Sequence, residues 1–245
     1  TDTPARQSKP KQSRRQEESA PELPVERAFA VEPLVVSKPE PVSKPILAIH
    51  GYAQSDVIFK TKLGSLRKGF KKEVDFTFLR APHKVPMRSN FNIDAEEDAY
   101  GWWFNTKDHI FKAVVPSNLA VGFEESIVLI EEAFKKFGPF DGILGFSQGA
   151  AFIKFEFAII ISGFKSLCTP HGIYYDGKIS IPSLHIYGKT DQVIPTEMAE
   201  EVSEMFINKT NITHEGGHYI PSKKEYYKEF IMEMFLNKNK NNYLF

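Results

Sequence analysis

Residues 141–152 read Asp-Gly-Ile-Leu-Gly-Phe-Ser-Gln-Gly-Ala-Ala-Phe. An apolar run stops at one hydroxyl set between two glycines. A short apolar run bounded by glycine suits a strand buried on both faces, as in a parallel sheet. Gly145-Phe146-Ser147-Gln148-Gly149 fits the G-x-S-x-G pattern of a strand-to-helix elbow. Such an elbow turns so sharply that its serine takes a sparsely populated backbone conformation. A side chain at 145 or 149 would meet neighbouring backbone. The turn lifts the Ser147 hydroxyl above the C-terminal edge of the sheet and aims the Gln148 N–H at a developing oxyanion. The competing interpretation is a strand-end turn with a capping serine.

The flanking sequence supplies the rest of a layered α/β domain. Order is expected from Ile46, with Ile46–His50 as a buried strand. Phe59, Leu63, Leu66 and Phe70 recur at helical spacing. Residues 74–81 read as a second strand, and 82–99 as a long polar loop, a kind of segment that often carries function. Ser117 is expected to cap a helix whose stripe is Phe123, Ile127, Ile130 and Phe134, ended by Gly138. Further strands are expected at 142–146, 157–163 and 183–188, with a short one at 210–214. Helices are expected at 195–207 and 222–236, the last through Tyr226, Phe230 and Phe235. Alternating strands and helices imply a mostly parallel sheet of about six strands, covered on both faces.

A serine hydroxyl needs a base, and the base needs an orienting acid. Asp191 stands just beyond a strand end, and His218 sits in the glycine-flanked loop His-Glu-Gly-Gly-His before the last helix. The order Ser147, Asp191, His218 is the one this elbow uses. A strand-end aspartate is more often a turn residue, and a loop histidine often has no chemical role. His214 is the rival base. The turn after the first strand, His50-Gly-Tyr-Ala-Gln, offers the second oxyanion donor in the backbone N–H of Tyr52, with Ala53 next in line. His50 more plausibly shapes that loop than moves a proton. Trp102, Trp103 and Phe104 are either core or the wall of an apolar substrate pocket; Phe146 and Tyr219, next to Ser147 and His218, are further wall candidates. His214 and His218 have a spacing that could hold a metal on a helix, but Gly216-Gly217 breaks any helix there. No metal or cofactor is expected, because water can deacylate such an enzyme.

Composition narrows the partners. With 31 basic and 31 acidic residues, the chain lacks the overall charge that would draw it to nucleic acid or an anionic membrane. Its one cysteine, Cys168, leaves no internal disulfide and points to a reducing compartment. No run is long enough to span a membrane. Residues 1–45 hold eight of the 16 prolines and are expected to be a disordered tail. The run Lys-Pro-Lys-Gln-Ser-Arg-Arg in that tail is a solvated basic stretch or a localisation signal, so the cytoplasm is the expected compartment and the nucleus the second. The hydrolytic domain is expected at 46–236, with a flexible tail at 237–245. The sequons at Asn208 and Asn211 are expected to be unmodified.

Several blocks together resemble one family. These are residues 46–68, Gly101-Trp-Trp-Phe, residues 138–151, 157–166, 181–195 and 214–221. They are similar to the family of serine hydrolases, small α/β-hydrolases of fungi, and to their animal counterpart, the ovarian-cancer-associated esterase. The resemblance spans about residues 45–236. It implies an α/β-hydrolase fold without a separate lid domain, and esterase activity on small carboxylic esters with apolar acyl or alkyl parts. It places the family's serine, aspartate and histidine on Ser147, Asp191 and His218. It also leaves thioesterase activity open, because fungal relatives use the same three residues on thioesters.

One segment departs from the pattern. Relatives carry a full helix and a loop after the elbow, whereas only the nine residues Gln148–Glu156 separate Ser147 from the next apolar strand. A parallel crossover ordinarily takes a dozen or more. Nine residues reach about 32 Å fully extended, so they return along the sheet only by giving up the helix. The expectation is that some 15 residues are missing relative to the family. The chain as written would then be destabilised and poorly active, with a non-catalytic binding protein as the limiting case.

Overall fold

The computed structural model describes Thr1 and residues 43–86, 99–152 and 156–241, with side chains as far as residue 236. Most of the expected N-terminal tail, and residues 153–155 of the short crossover, lie outside the described residues. The elements in chain order are β1 (Lys44–Ile49), α1 (Asp56–Lys62), α2 (Gly64–Gly69), β2 (Val74–Leu79), β3 (His83–Lys84) and β4 (Tyr100–Gly101). There follow α3 (Phe123–Phe137), β5 (Gly142–Phe146), a 3-10 turn (Ser147–Ala151), β6 (Phe157–Ile161), a second 3-10 segment (Thr169–Tyr175), β7 (Ser183–Gly188), α4 (Thr196–Ser203), β8 (Lys209–His214) and α5 (Glu225–Asn241). β1 opens two residues before the expected Ile46, and α5 runs into the stretch expected to be a tail.

Six strands form one sheet in the order β2-β1-β5-β6-β7-β8. Every pairing in it is parallel, more uniform than the mostly parallel sheet expected from sequence. β3 and β4 make a separate antiparallel pair. The register sets Ile49 opposite Gly145 and Gly188 opposite His214. The loops after β1, β5, β7 and β8 therefore leave the sheet at one edge.

Strand alternation divides the core in two, because successive side chains point to opposite faces. Ile46, Ala48, Leu144, Ile159, Ile161, Leu184 and Ile186 face Phe59, Leu63, Leu66 and Phe70 of the α1–α2 segment and Tyr227, Phe230, Ile231 and Met234 of α5. Leu47, Ile49, Ile143, Ala158 and Ile160 face Trp102, Trp103, Phe123 and Ile130. The spacing of Phe59, Leu63, Leu66 and Phe70 identified its buried face from sequence. For α5 the buried face is shifted by one residue, to Tyr227, and Tyr226 and Phe235 are only partly buried.

α3 begins later than expected. Its N-cap is Gly122 at φ +85°, and no side chain caps it. Ser117 Oγ instead donates to the Asn105 carbonyl at 2.8 Å and accepts the Leu119 N–H at 3.0 Å. Ser117 thus pins a loop, a local bond that competes with helix initiation. Gly138 ends the helix as expected.

Among the described residues of the short crossover there is no α-helix: a five-residue 3-10 turn, Ser147–Ala151, forms the elbow, and β6 restarts at Phe157 in parallel register with β5. Phe152, just past that turn, packs among aromatic neighbours on the sheet face it borders. Its ring stacks on Phe123 at 5.6 Å and stands edge-on to Trp102 at 5.5 Å and Trp103 at 5.7 Å. Truncating this ring is expected to leave a cavity no helix can fill. Phe152→Ala should cost about 3–5 kcal/mol, read from the urea midpoint. A loss under about 1 kcal/mol would mean that the face repacks without it.

Candidate active site

The elbow depends on close backbone approach. Ser147 sits at φ +51°, in the left-handed region that residues with a Cβ rarely adopt. Two glycines make room for it. A Cβ on Gly145 would lie 2.5 Å from Ala150 Cα, and one on Gly149 would strike the Ile49 and His50 carbonyl oxygens. The end of β1 and the turn after β5 are thus packed backbone against backbone, which sets Ser147 beside the loop that follows β1.

Asp191 and His218 come from the loops after β7 and β8. These loops are tied together: Lys189 N–H donates to the His214 carbonyl at 2.8 Å, and Thr190 N–H to the Gly216 carbonyl at 3.2 Å. Asp191 Oδ1 accepts the N–H groups of Val193 and Ile194, each at 2.9 Å, so the carboxylate closes its own turn and is held rigid. Its other oxygen, Oδ2, lies 2.8 Å from His218 Nδ1. His218 Nε2 lies 3.1 Å from Ser147 Oγ. The His218 ring leans on Phe146, centroids 4.8 Å apart. With Nδ1–H donated to a carboxylate, Nε2 is left as the acceptor for the serine hydroxyl. The three side chains form one line of hydrogen bonds from a buried acid to a cleft.

Burial works against ionisation of Asp191, but the His218 hydrogen bond and the Ile194 and Val193 N–H groups outweigh it. The carboxyl is held below its ordinary value of 3.8. The carboxylate side chain is fully shielded from solvent, while His218 keeps 18% exposure on the cleft side. That asymmetry suits a charge that stabilises an imidazolium while the ring meets substrate.

The rival histidines are engaged elsewhere. His50 is fully buried; its Nδ1 pairs with the Gly51 carbonyl at 2.8 Å and its Nε2 accepts the Ala81 N–H at 3.0 Å. His214 accepts the Gly216 N–H at 3.2 Å and packs on Tyr219. Neither contacts Ser147. Among the described residues no group of three or more His, Cys, Asp and Glu side chains could hold a metal, and no helix is long and apolar enough to cross a membrane.

Ser147 and His218 open onto a cleft of about 390 Å³, lined also by Tyr52, Gln54, Lys62, Phe146, Tyr219 and Ile220. Tyr52, Phe146 and Tyr219 were candidates from sequence. Trp102, Trp103 and Phe104 are corrected: all three are core, and none lines the cleft. Their use is structural. The Gln148 side chain accepts the Trp102 N–H at 2.9 Å and donates to the Trp103 carbonyl at 2.7 Å, while Trp102 Nε1–H donates to the His50 carbonyl at 2.8 Å. The Trp-Trp pair braces the elbow and the β1 loop at once. Gln54, Lys62 and Ile220 were missed. Gln54 stood in the quoted loop, and its Oε1 accepts the Gly51 N–H at 3.3 Å. Lys62 had no signal, because it is one of many lysines in the chain.

Sequence comparison places the fold and the cleft in context. The profile of the family described as Serine hydrolase (FSH1) matches residues 40–155 and again 152–230. The chain belongs to the serine hydrolase (FSH1) family. The two matched stretches meet at the short crossover. Esterase OVCA2 of Danio rerio is 39% identical over 216 residues, covering 76% of this chain and 95% of that protein. Esterase AGAP003155 of Anopheles gambiae is 40% identical over 205 residues, 77% of each. Family and relatives together make this chain a serine ester hydrolase. Among solved structures, esterase PE8 superposes with a TM-score of 0.56 at 17% identity, over 81% of this chain and 93% of that one. The acyl-protein thioesterase 2 of Zea mays gives 0.54 at 17% identity, over 82% and 97%. At that identity the likeness concerns the fold, which is the α/β-hydrolase fold.

Two outcomes follow for this hydrolase. Gln148→Ala should leave a buried N–H and a buried carbonyl unpaired and cost about 2–4 kcal/mol in urea unfolding; a neutral result would mean that water takes over both bonds. Burial lowers His50 and His171 to about 4 and His185 to about 3. The unfolded chain therefore binds more protons than the folded one below the ordinary histidine value of 6.5. Stability should fall as pH drops from about 6.5 towards 4, with the Asp191 contribution lost further down, as pH passes its depressed value. Urea midpoints taken across that window would be flat if the three imidazoles reached water.

Proposed function

We propose that this hydrolase cleaves small carboxylic esters through an acyl-enzyme on Ser147. The observation that carries the reading is the continuous hydrogen-bond line Asp191–His218–Ser147 at the floor of a cleft. His218 Nε2 takes the hydroxyl proton as Oγ attacks the ester carbonyl carbon. The tetrahedral oxyanion is received by the backbone N–H groups of Gln148 and Tyr52. Collapse breaks the carbon–oxygen bond to the alcohol, which leaves with the proton from His218. Water, deprotonated by the same ring, then attacks the acyl carbon and releases the acid and Ser147. Asp191 stays ionised and stabilises the imidazolium in both halves. Phe146, Tyr219 and Ile220 give the cleft apolar walls, which suit an apolar acyl or alkyl part.

A specific observation favours slow turnover. The elbow is followed by a 3-10 turn of five residues in place of an α-helix, so fewer aligned peptide dipoles stand behind the Gln148 N–H. A fluorophosphonate probe is expected to label the wild type at Ser147 and to leave Ser147→Ala unlabelled. Ester hydrolysis by Ser147→Ala should fall by about 10³-fold or more. Labelling that survives the substitution would defeat the assignment, and absence of wild-type labelling would favour a non-catalytic binding protein. Matched oxygen and thiol esters compared by kcat/KM separate an esterase from a thioesterase.

A further inference from the structure

The cleft carries a cation that the hydrolytic steps above do not use. Lys62, at the C-terminal end of α1, lines the same cleft as Ser147 and His218. Its side chain is solvent-exposed and forms no ion pair or hydrogen bond with any described residue. No carboxylate is among the lining residues. Asp191 is already engaged with His218, and Asp56, on the same helix as Lys62, with Arg80 at 2.5 Å. The imbalance extends beyond the cleft. From Val57 to Lys72 the chain has six basic residues (Lys60, Lys62, Arg67, Lys68, Lys71 and Lys72) and no acidic one. None of the six is ion-paired within the described residues. Lys224 adds a further charge beside them, its Nζ donating to the Gly69 carbonyl at 2.7 Å. Of these residues only Lys62 lines the cleft; Lys71 and Lys72 stand just before Val74, at the sheet edge opposite the site.

We propose that the ester this hydrolase takes carries an anionic group, a carboxylate or phosphate, that Lys62 binds while the ester carbonyl sits at Ser147. The proposal deepens the esterase reading and rests on it. The cleft offers both kinds of contact: rings and an isoleucine for the hydrocarbon part, and the Lys62 ammonium for a charged terminus. The anion can belong to either side of the scissile bond. It is then the free acid of a half-esterified dicarboxylic acid on the acyl side, or a phosphate on the leaving alcohol or thiol.

Binding to Ser147→Ala, measured by calorimetry, tests this without depending on turnover. One pair of ligands is monobutyl hexanedioate and its methyl ester, which differ by the acyl-side charge. The other is a butyrate ester of a phosphorylated alcohol and its dephosphorylated form. The anionic member of one pair should bind about fivefold more tightly, the ratio expected for one partly exposed charge contact, and that pair identifies the side of the bond. Adding Lys62→Met should bring the ratio to about one. Lys62→Arg should keep it, and Lys62→Glu should invert it. Salt should erode the preference, because exposed charges are screened. Equal affinities within both pairs, or a preference that Lys62→Met leaves intact, would overturn the role given to Lys62. Wild-type probe labelling at Ser147, scored in parallel, judges the hydrolase reading separately.

Discussion

The site depends on how closely two stretches of backbone approach each other. Gly149 lies against the carbonyls of Ile49 and His50, with no space for even one carbon between them. That contact fixes the elbow to the end of β1, holds Ser147 at φ +51°, and sets the Tyr52 loop beside it. The strain at Ser147 persists only because its surroundings leave no other conformation. The surroundings are specific: β1 beside β5 in parallel register, the Gln148 amide clamped on the Trp102–Trp103 backbone, and the Trp102 indole on the His50 carbonyl.

The same elbow opens the nine-residue crossover to β6. Sheet register is kept across a crossover of nine residues, whose described part holds a 3-10 turn and no α-helix. Six parallel strands and two apolar faces fix strand spacing more strongly than one helix can. Each strand is held along its length by ladder bonds and by burial on both sides, whereas a helix of two turns contributes only one apolar stripe. An aromatic cluster centred on Phe152 borders the shortened turn, and the family profile matches in two stretches that meet there. The residues that brace Ser147 are thus also part of the core beneath it.

Much of this was legible in sequence, for identifiable reasons. Buried parallel strands are continuous apolar runs, so Ile46–Ile49, Gly142–Phe146, Phe157–Ile161 and Ser183–Gly188 announced themselves. The elbow was legible because its glycines answer a steric demand that no other residue meets. Ser117 was misjudged as a cap because a serine before a helix also bonds local loop backbone, and spacing cannot tell the two apart. Trp102, Trp103 and Phe104 were assigned to a pocket wall in one of two interpretations. Apolar character gives the same signal for a wall and for a core, and burial by distant segments decides between them.

By itself the sequence determined the local chemistry: which residue could be a strained nucleophile, where strands begin and end, and that nine residues cannot carry a crossover helix. Those follow from steric limits and periodicity within a few residues of chain. Only the tertiary structure decided which loops share an edge. It brought His218 within 3.1 Å of Ser147, 71 positions away, and left His50 and His214 with other partners. It also set Lys62, from a helix near the start of the domain, at the same cleft. The reason is physical: strand order and register, not sequence distance, fix which side chains meet, and they come from the burial of the whole sheet at once.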